Sequence, residues 1–240
     1  MGWLNGWSYR KRHKILQTPN AGTNYPIKFI VHYGSGEDQG NTVYLDEKCR
    51  TDFGDVRFTK LDGTTLSCFL EGYTPSSIAT IWVQIQDDLS VSSTTICLYY
   101  GNSTATFESD PSIFYFYDDI ETWEGWTQYN GGSVTQDDTR KFEGNYSAHK
   151  TTNNDPAGAY KDIGQTLGLN IALEFRVNRN SNYSGGALDR VGLIDDSGNG
   201  YGWVYDHGND AVKIDKRTSY SGSGIGLSLI HISEPTRPRL

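Results

Sequence analysis

Three carboxylates stand close together at Asp118, Asp119 and Glu121. Carboxylate oxygens are hard donors of the kind calcium takes, and for these three a structural calcium is what a resemblance given below implies. A second set combines aromatic and polar side chains: Trp123, Trp126, Tyr183, Asp189, Arg190, Tyr201 and Trp203. Sugar rings present apolar C–H faces that stack on indole and phenol rings, while Asp and Arg bond the hydroxyls. The chemistry of that set is carbohydrate binding. Its competitor is structural, since Trp and Tyr also fill sandwich cores and Arg190 can serve only to pair an acid. Asp195, Ser197, Asn199 and Gly200, with Asp206 at the twelfth place, imitate the spacing of a calcium loop. Without flanking helices or a closing Glu, they read instead as a tight hairpin turn.

Catalytic patterns are missing from the sequence. It contains no H-E-x-x-H, G-x-S-x-G, P-loop or C-x-x-C. Glycines at 198, 200 and 202, and at 222, 224 and 226, are spaced G-x-G-x-G but lack the helix of a dinucleotide fingerprint. Glycoside hydrolysis needs two carboxylates facing across a cleft. Nothing singles out such a pair, and Glu174 is followed by Phe175-Arg176 rather than by the E-x-D-x-x-E strand of laminarinase-like enzymes. A non-enzymatic protein is expected.

The composition points to sheets. Tyr (16) and Trp (6) far outnumber Met (1), and Gly reaches 27, the mixture that twisted antiparallel strands and tight turns use. The formal charge of -8 repels phosphate backbones, so no nucleic-acid partner is expected. No apolar run approaches the roughly 20 residues of a membrane helix, so no membrane insertion is expected. Met1 to Lys14 is polar and basic, without the apolar core of a signal peptide. Either the natural start lies upstream or the protein leaves the cell without a secretion signal, as virion proteins do. Cys49, Cys68 and Cys97 are odd in number and widely spaced. They fit buried thiols, or one disulfide plus a free thiol whose pairing the sequence does not select.

The candidate residues must be carried by strands. Arg10 to Leu16, Ile27 to Tyr33, Val56 to Lys60, Ser67 to Tyr73, Ile78 to Ile85 and Thr94 to Tyr100 read as strands, with Asp62-Gly63 as a hairpin turn. Asn102 to Pro111 reads as a linker, and Ile113 to Tyr117 as the first strand of a second domain. Further strands are expected at 147–150, 159–163, 171–178, 190–194 and 201–205. In the basic run Arg10-Lys11-Arg12-His13-Lys14, alternate members point to opposite faces, so it suits a solvated edge strand.

The first hundred residues resemble a family known as domain of unknown function 2341. The matching pieces are Trp7-Ser8-Tyr9-Arg10-Lys11, Asp52-Phe53-Gly54-Asp55-Val56-Arg57-Phe58, Asp62-Gly63-Thr64, Leu70-Glu71, Ala79 to Val83, and Thr94 to Asn102. That resemblance implies a β-sandwich module of surface, secreted or viral proteins, with no established catalytic role. Phe116 to Glu121, Gly125-Trp126, Phe142 to Ser147 and Asp195 to Gly202 resemble a concanavalin-like jelly roll of the laminin-G or lectin type. Sugar-binding relatives of that kind often hold calcium near Asp118, Asp119 and Glu121. Leu227 to Arg237 resembles the in-frame translation of a transposon-based sequencing adapter, as in a truncated metagenomic or library read.

The sequence therefore predicts an all-β chain of two sandwiches in tandem: 1–110, then an incomplete jelly roll over 113–226, with a non-native tail over 227–240. The expected function is structural or adhesive, at a cell surface, outside the cell or on a virion. Glycans and other domains of a longer chain are the expected partners. The alternatives are an accessory region of a secreted polysaccharide-degrading enzyme whose catalytic domain is missing, and a virion module without ligand.

Overall fold

A computed structural model describes residues 3–129, 134–141, 144–151, 158–164, 173–175, 188–194, 200–206, 211–217 and 225–226. The described residues form strands and one short 3-10 turn, so the chain is all-β. It divides into two compact units, 1–117 and 118–240.

In chain order the first unit contains β1 (Tyr9–Ile15), β2 (Tyr25–His32), β3 (Thr42–Tyr44), β4 (Arg57–Lys60), β5 (Cys68–Thr74), β6 (Ile78–Ile85) and β7 (Thr94–Tyr100). They pair as two sheets, ordered β1-β7-β4 and β3-β2-β6-β5. Strand β6 shows why. Its alternation buries Ala79, Ile81, Val83 and Ile85 on one face and leaves Trp82 and Gln84 half-buried on the other. Phe29, Val31, Ile81 and Val83 of the larger sheet share one core with Phe58, Ile96 and Leu98 of the smaller. Phe29 and Phe58 meet at 5.1 Å between ring centroids.

Four points differ from expectation on folding. Asp62-Gly63 does turn the chain, with the Lys60 N–H donating to the Thr64 carbonyl. Yet β4 and β5 are not hairpin partners, because β4 joins β7 and β5 joins β6 in the other sheet. The turn is closed by the short Thr59–Thr65 bridge, after which the chain crosses between sheets. Strand β3 was not expected; it is three residues long and lies parallel to β2. Finally, 113–117 is not a strand. Pro111–Ile113 forms the 3-10 turn, capped by the Asp110 carboxylate. Phe114 and Tyr117 then pack on Phe69, and Phe114 also packs on Trp82. The stretch expected as a linker is likewise held, since the Arg50 guanidinium donates to the Ser103 carbonyl at 2.7 Å and the Asp110 N–H to the Cys68 carbonyl at 2.8 Å.

All three cysteines are buried free thiols. Burial pushes the Cys49 and Cys68 thiols up to about 12, which removes the reactive thiolate near neutral pH.

His13 sits half-buried with its ring edge-on to Phe29 at 5.0 Å. Burial holds its pKa below the ordinary value, against the opposing pull of Asp38 and the Asn41 side chain. A lowered folded pKa means that the neutral ring is favoured in the folded state. Its contribution is therefore present above the unfolded value of about 6.5 and is lost as pH falls below it. His13→Gln is expected to flatten the stability profile in that interval, measured by urea unfolding at several pH values.

In the second unit, β8 (Trp126–Tyr129) pairs with β11 (Gly158–Lys161), and β9 (Val134–Asp137) with β10 (Ser147–Lys150). A four-stranded antiparallel sheet runs β12 (Leu188–Ile194), β13 (Gly200–Asp206), β14 (Ala211–Arg217), β15 (Ile225–Gly226). Most of the expected strand over 171–178, the turn residues 195–199, and the tail over 227–240 lie outside the described residues.

Candidate functional site

Antiparallel pairing sets Lys161 of β11 opposite Trp126 of β8. Asp118 lies against both. Its Oδ2 accepts from Lys161 Nζ at 2.7 Å and from Trp126 Nε1 at 3.1 Å, and its Oδ1 accepts from the Ile120 N–H at 2.8 Å. The Asp118 side chain is only 7% exposed, whereas that of Lys161 is 25% exposed. Trp123 stacks on Trp126 with ring centroids 5.2 Å apart and planes 15° apart. Both indoles keep partial exposure. The result is a paired aromatic surface with an ion pair along one edge. Chemically it offers aromatic faces flanked by a charged hydrogen-bonding edge.

The turn that presents Asp118 is strained and tied down. Ile120 has φ +63°, a conformation that β-branched residues avoid. The Gln136 side-chain amide donates to its carbonyl at 2.6 Å, while Asp118 takes its N–H. Next along, Glu121 Oε1 accepts from the backbone N–H groups of Asn145 (2.5 Å) and Tyr146 (3.2 Å), and Oε2 accepts from Asn145 Nδ2 (2.8 Å). The Asn145 backbone N–H, followed by its side chain, holds the Glu121 carboxyl below the usual carboxylate range. Gly144 fits this contact for two reasons: its φ is +65°, and a Cβ there would lie 2.2 Å from Glu121 Oε1.

The calcium expectation does not find a gathered ligand set. Asp118 faces Lys161 and Trp126, Asp119 Oδ1 accepts from the Glu121 N–H, and Glu121 faces Asn145. Among the described residues no group of three or more His, Cys, Asp or Glu side chains is placed to hold a metal ion. Of the sugar-binding candidates, Trp123 and Trp126 come together. Trp203 is elsewhere on β13, edge-on to Phe175 at 5.8 Å. Asp189 and Arg190 occupy β12 opposite Tyr205 and Val204, and Tyr201 of β13 lies opposite Leu193. Tyr183 lies outside the described residues. Sequence reasoning missed Lys161, because only the β8–β11 register brings it to Asp118.

In the first unit the quoted motifs converge on Asp55. Its buried carboxylate accepts from the Arg50 N–H (2.8 Å), the Gly101 N–H (2.5 Å) and the Asn102 N–H (2.9 Å). Trp7 Nε1 donates to the Asp55 carbonyl at 2.6 Å. Tyr9 stacks on Tyr100 and lies so close to Gly101, whose φ is +85°, that a Cβ there would meet its ring at 2.5 Å. Arg57 donates to the carbonyls of Gly54, Val56 and Thr106. These groups hold the fold. A cavity of about 260 Å³ beside Arg57, Cys68, Phe107 and Glu108 is smaller than ordinary ligand sites.

No solved structure matches the chain. It is 38% identical over 109 residues to a protein of Methanocaldococcus jannaschii described as "Uncharacterized protein MJ1394". The match covers 43% of this chain and 11% of that relative, so the chain spans only a small part of it. Over residues 52–129, which take in the Asp55 motif, β4 to β7 and the Asp118–Trp126 turn, the chain matches the family described as "Domain of unknown function (DUF2341)".

Proposed function

We propose that this chain is a non-enzymatic structural and adhesive module of a surface, secreted or virion assembly. Its first unit acts as a scaffold. Its second unit is a concanavalin-like jelly roll that binds glycans. The observation that carries the adhesive part is the Trp123–Trp126 stack beside the Asp118–Lys161 pair. Aromatic faces flanked by a charged hydrogen-bonding edge are what sugar rings need. The scaffold part rests on the inward use of Asp55, Arg57 and Trp7.

Affinity electrophoresis through gels containing a panel of neutral and acidic polysaccharides tests this reading. Retardation by at least one polymer is expected, and Trp123→Ala should reduce it about ten-fold, a loss of about 1.4 kcal/mol. Trp126→Phe keeps a ring but removes the indole N–H, and is expected to weaken retardation less. Migration unchanged by every polymer, or retardation untouched by Trp123→Ala, would remove the adhesive role and leave a ligand-free scaffold.

A further inference from the structure

The smaller sheet of the first unit carries an unusual charge balance. Strand β1 holds four Lys or Arg and β4 holds two, while β1, β4 and β7 contain no Asp or Glu. This occurs in a chain of formal charge -8. The cations are sorted by the pleat. Ile15 enters the core, His13 meets Phe29, and Lys11 Nζ reaches Asp38 at 3.1 Å and also the Tyr44 carbonyl. Arg10, Arg12 and Lys14 therefore line the opposite, outer face, with successive charges roughly 6.6 Å apart at their backbones. Arg10 is held in place, its guanidinium 4.7 Å from the Trp3 ring centroid and donating to the Tyr99 hydroxyl at 3.1 Å.

Strand β1 is also an edge. Its sheet is ordered β1-β7-β4, and among the described residues no strand pairs with the far side of β1. Such an edge offers a row of backbone donors and acceptors to an added strand. We infer that β1 is a docking edge for an extended acidic segment of a partner, one carrying Asp or Glu at every second position. Side chains on an added strand come within about 5.5 Å of their cross-strand neighbours, Cβ to Cβ, so alternate carboxylates would meet Arg10, Arg12 and Lys14. A second copy of β1 would set cation against cation and be rejected. The charges thus select the partner as well as protecting the edge. This inference is independent of the glycan reading.

Fluorescence anisotropy of the full chain with three labelled short peptides decides it. One alternates Glu with Thr, one has the same composition with its Glu residues clustered at one end, and one alternates Lys with Thr. The alternating acidic peptide is expected to bind, more weakly in high salt, and at least about ten-fold better than the clustered one. Arg10→Glu/Arg12→Glu/Lys14→Glu should abolish that binding and create binding of the alternating Lys peptide. Lys14→Glu alone, at an exposed position, should weaken it in the same direction, which keeps the test decisive if the triple variant does not fold. Equal binding of alternating and clustered acidic peptides would reduce the surface to plain charge attraction and overturn strand docking. Binding unmoved by charge reversal, or no binding of the acidic peptide, would also overturn it.

Discussion

Asp55→Ala is expected to unfold the first unit at much lower denaturant than the parent, with a loss of about 3–5 kcal/mol. The reason is the number of groups that one carboxylate serves. Its two oxygens take the N–H groups of Arg50, Gly101 and Asn102, and the residue is 0% exposed. Removing it leaves three amides without their acceptor, in a place where water replaces it poorly. The 49–55 loop would also lose its tie to the end of β7. Asp55→Asn keeps one oxygen but turns an amide toward an N–H, so an intermediate loss is expected. By thermal unfolding, the alanine variant should melt more than about 10 °C lower. A shift of only a degree or two would mean that the Trp7 and Tyr9 contacts alone hold the junction.

Six of the seven strands of the first unit were legible, β6 by its strict alternation and the others by β-branched and aromatic runs set between turn residues. The expected ranges 78–85 and 94–100 coincide with β6 and β7, and β1, β2, β4 and β5 differ only at their ends. Pairing was not legible. Asp62-Gly63 signals a turn, but a turn signal says nothing about where the following strand goes. Here β5 leaves for the other sheet because Cys68 and Leu70 find Val83 and Ile81 there. The aromatic run at 113–117 has strand composition, yet Pro111 and the Asp110 cap start a 3-10 turn, and Phe114 and Tyr117 are used against Phe69. Composition alone cannot separate an aromatic strand from an aromatic strap.

The candidate site was half legible for a related reason. Trp123 and Trp126 are three residues apart, so a single turn can stack them. The carboxylates at 118, 119 and 121 were equally visible, but their roles depend on partners far along the chain. Lys161 reaches Asp118 across the β8–β11 register, and Asn145 reaches Glu121 from the turn before β10. In both units the motifs that carried a family resemblance meet around a carboxylate: Asp55 joins Asp52–Phe58 to Tyr99–Asn102, and Glu121 joins Phe116–Glu121 to Phe142–Ser147. At Asp118 and Glu121 the sequence suggests calcium ligands, while in the fold their oxygens accept from groups of the chain itself, and the two roles make different predictions.

That distinction makes Asp118→Ala the sharpest test in the second unit. If Lys161 is the working counterion, the substitution strands the Lys161 ammonium, the Trp126 indole N–H and the Ile120 N–H together. A fully buried broken pair costs about 3–5 kcal/mol; Lys161 is a quarter exposed and can reach water, so about 2–3 kcal/mol is expected. Lys161→Met leaves a carboxylate that still accepts two N–H groups, and should cost less. The double variant should recover part of the Asp118→Ala loss, because no unpaired ammonium remains. Calcium gives the opposite signature: a chelator would lower the melting transition of the parent, added calcium would raise it, and Lys161→Met would leave calcium affinity in place or improve it. Scanning calorimetry of the parent and the three variants, each with calcium and with chelator, separates the two. Insensitivity to calcium, together with partial rescue in the double variant, establishes the ion pair as the element that holds Trp126, and with it the aromatic stack, in position.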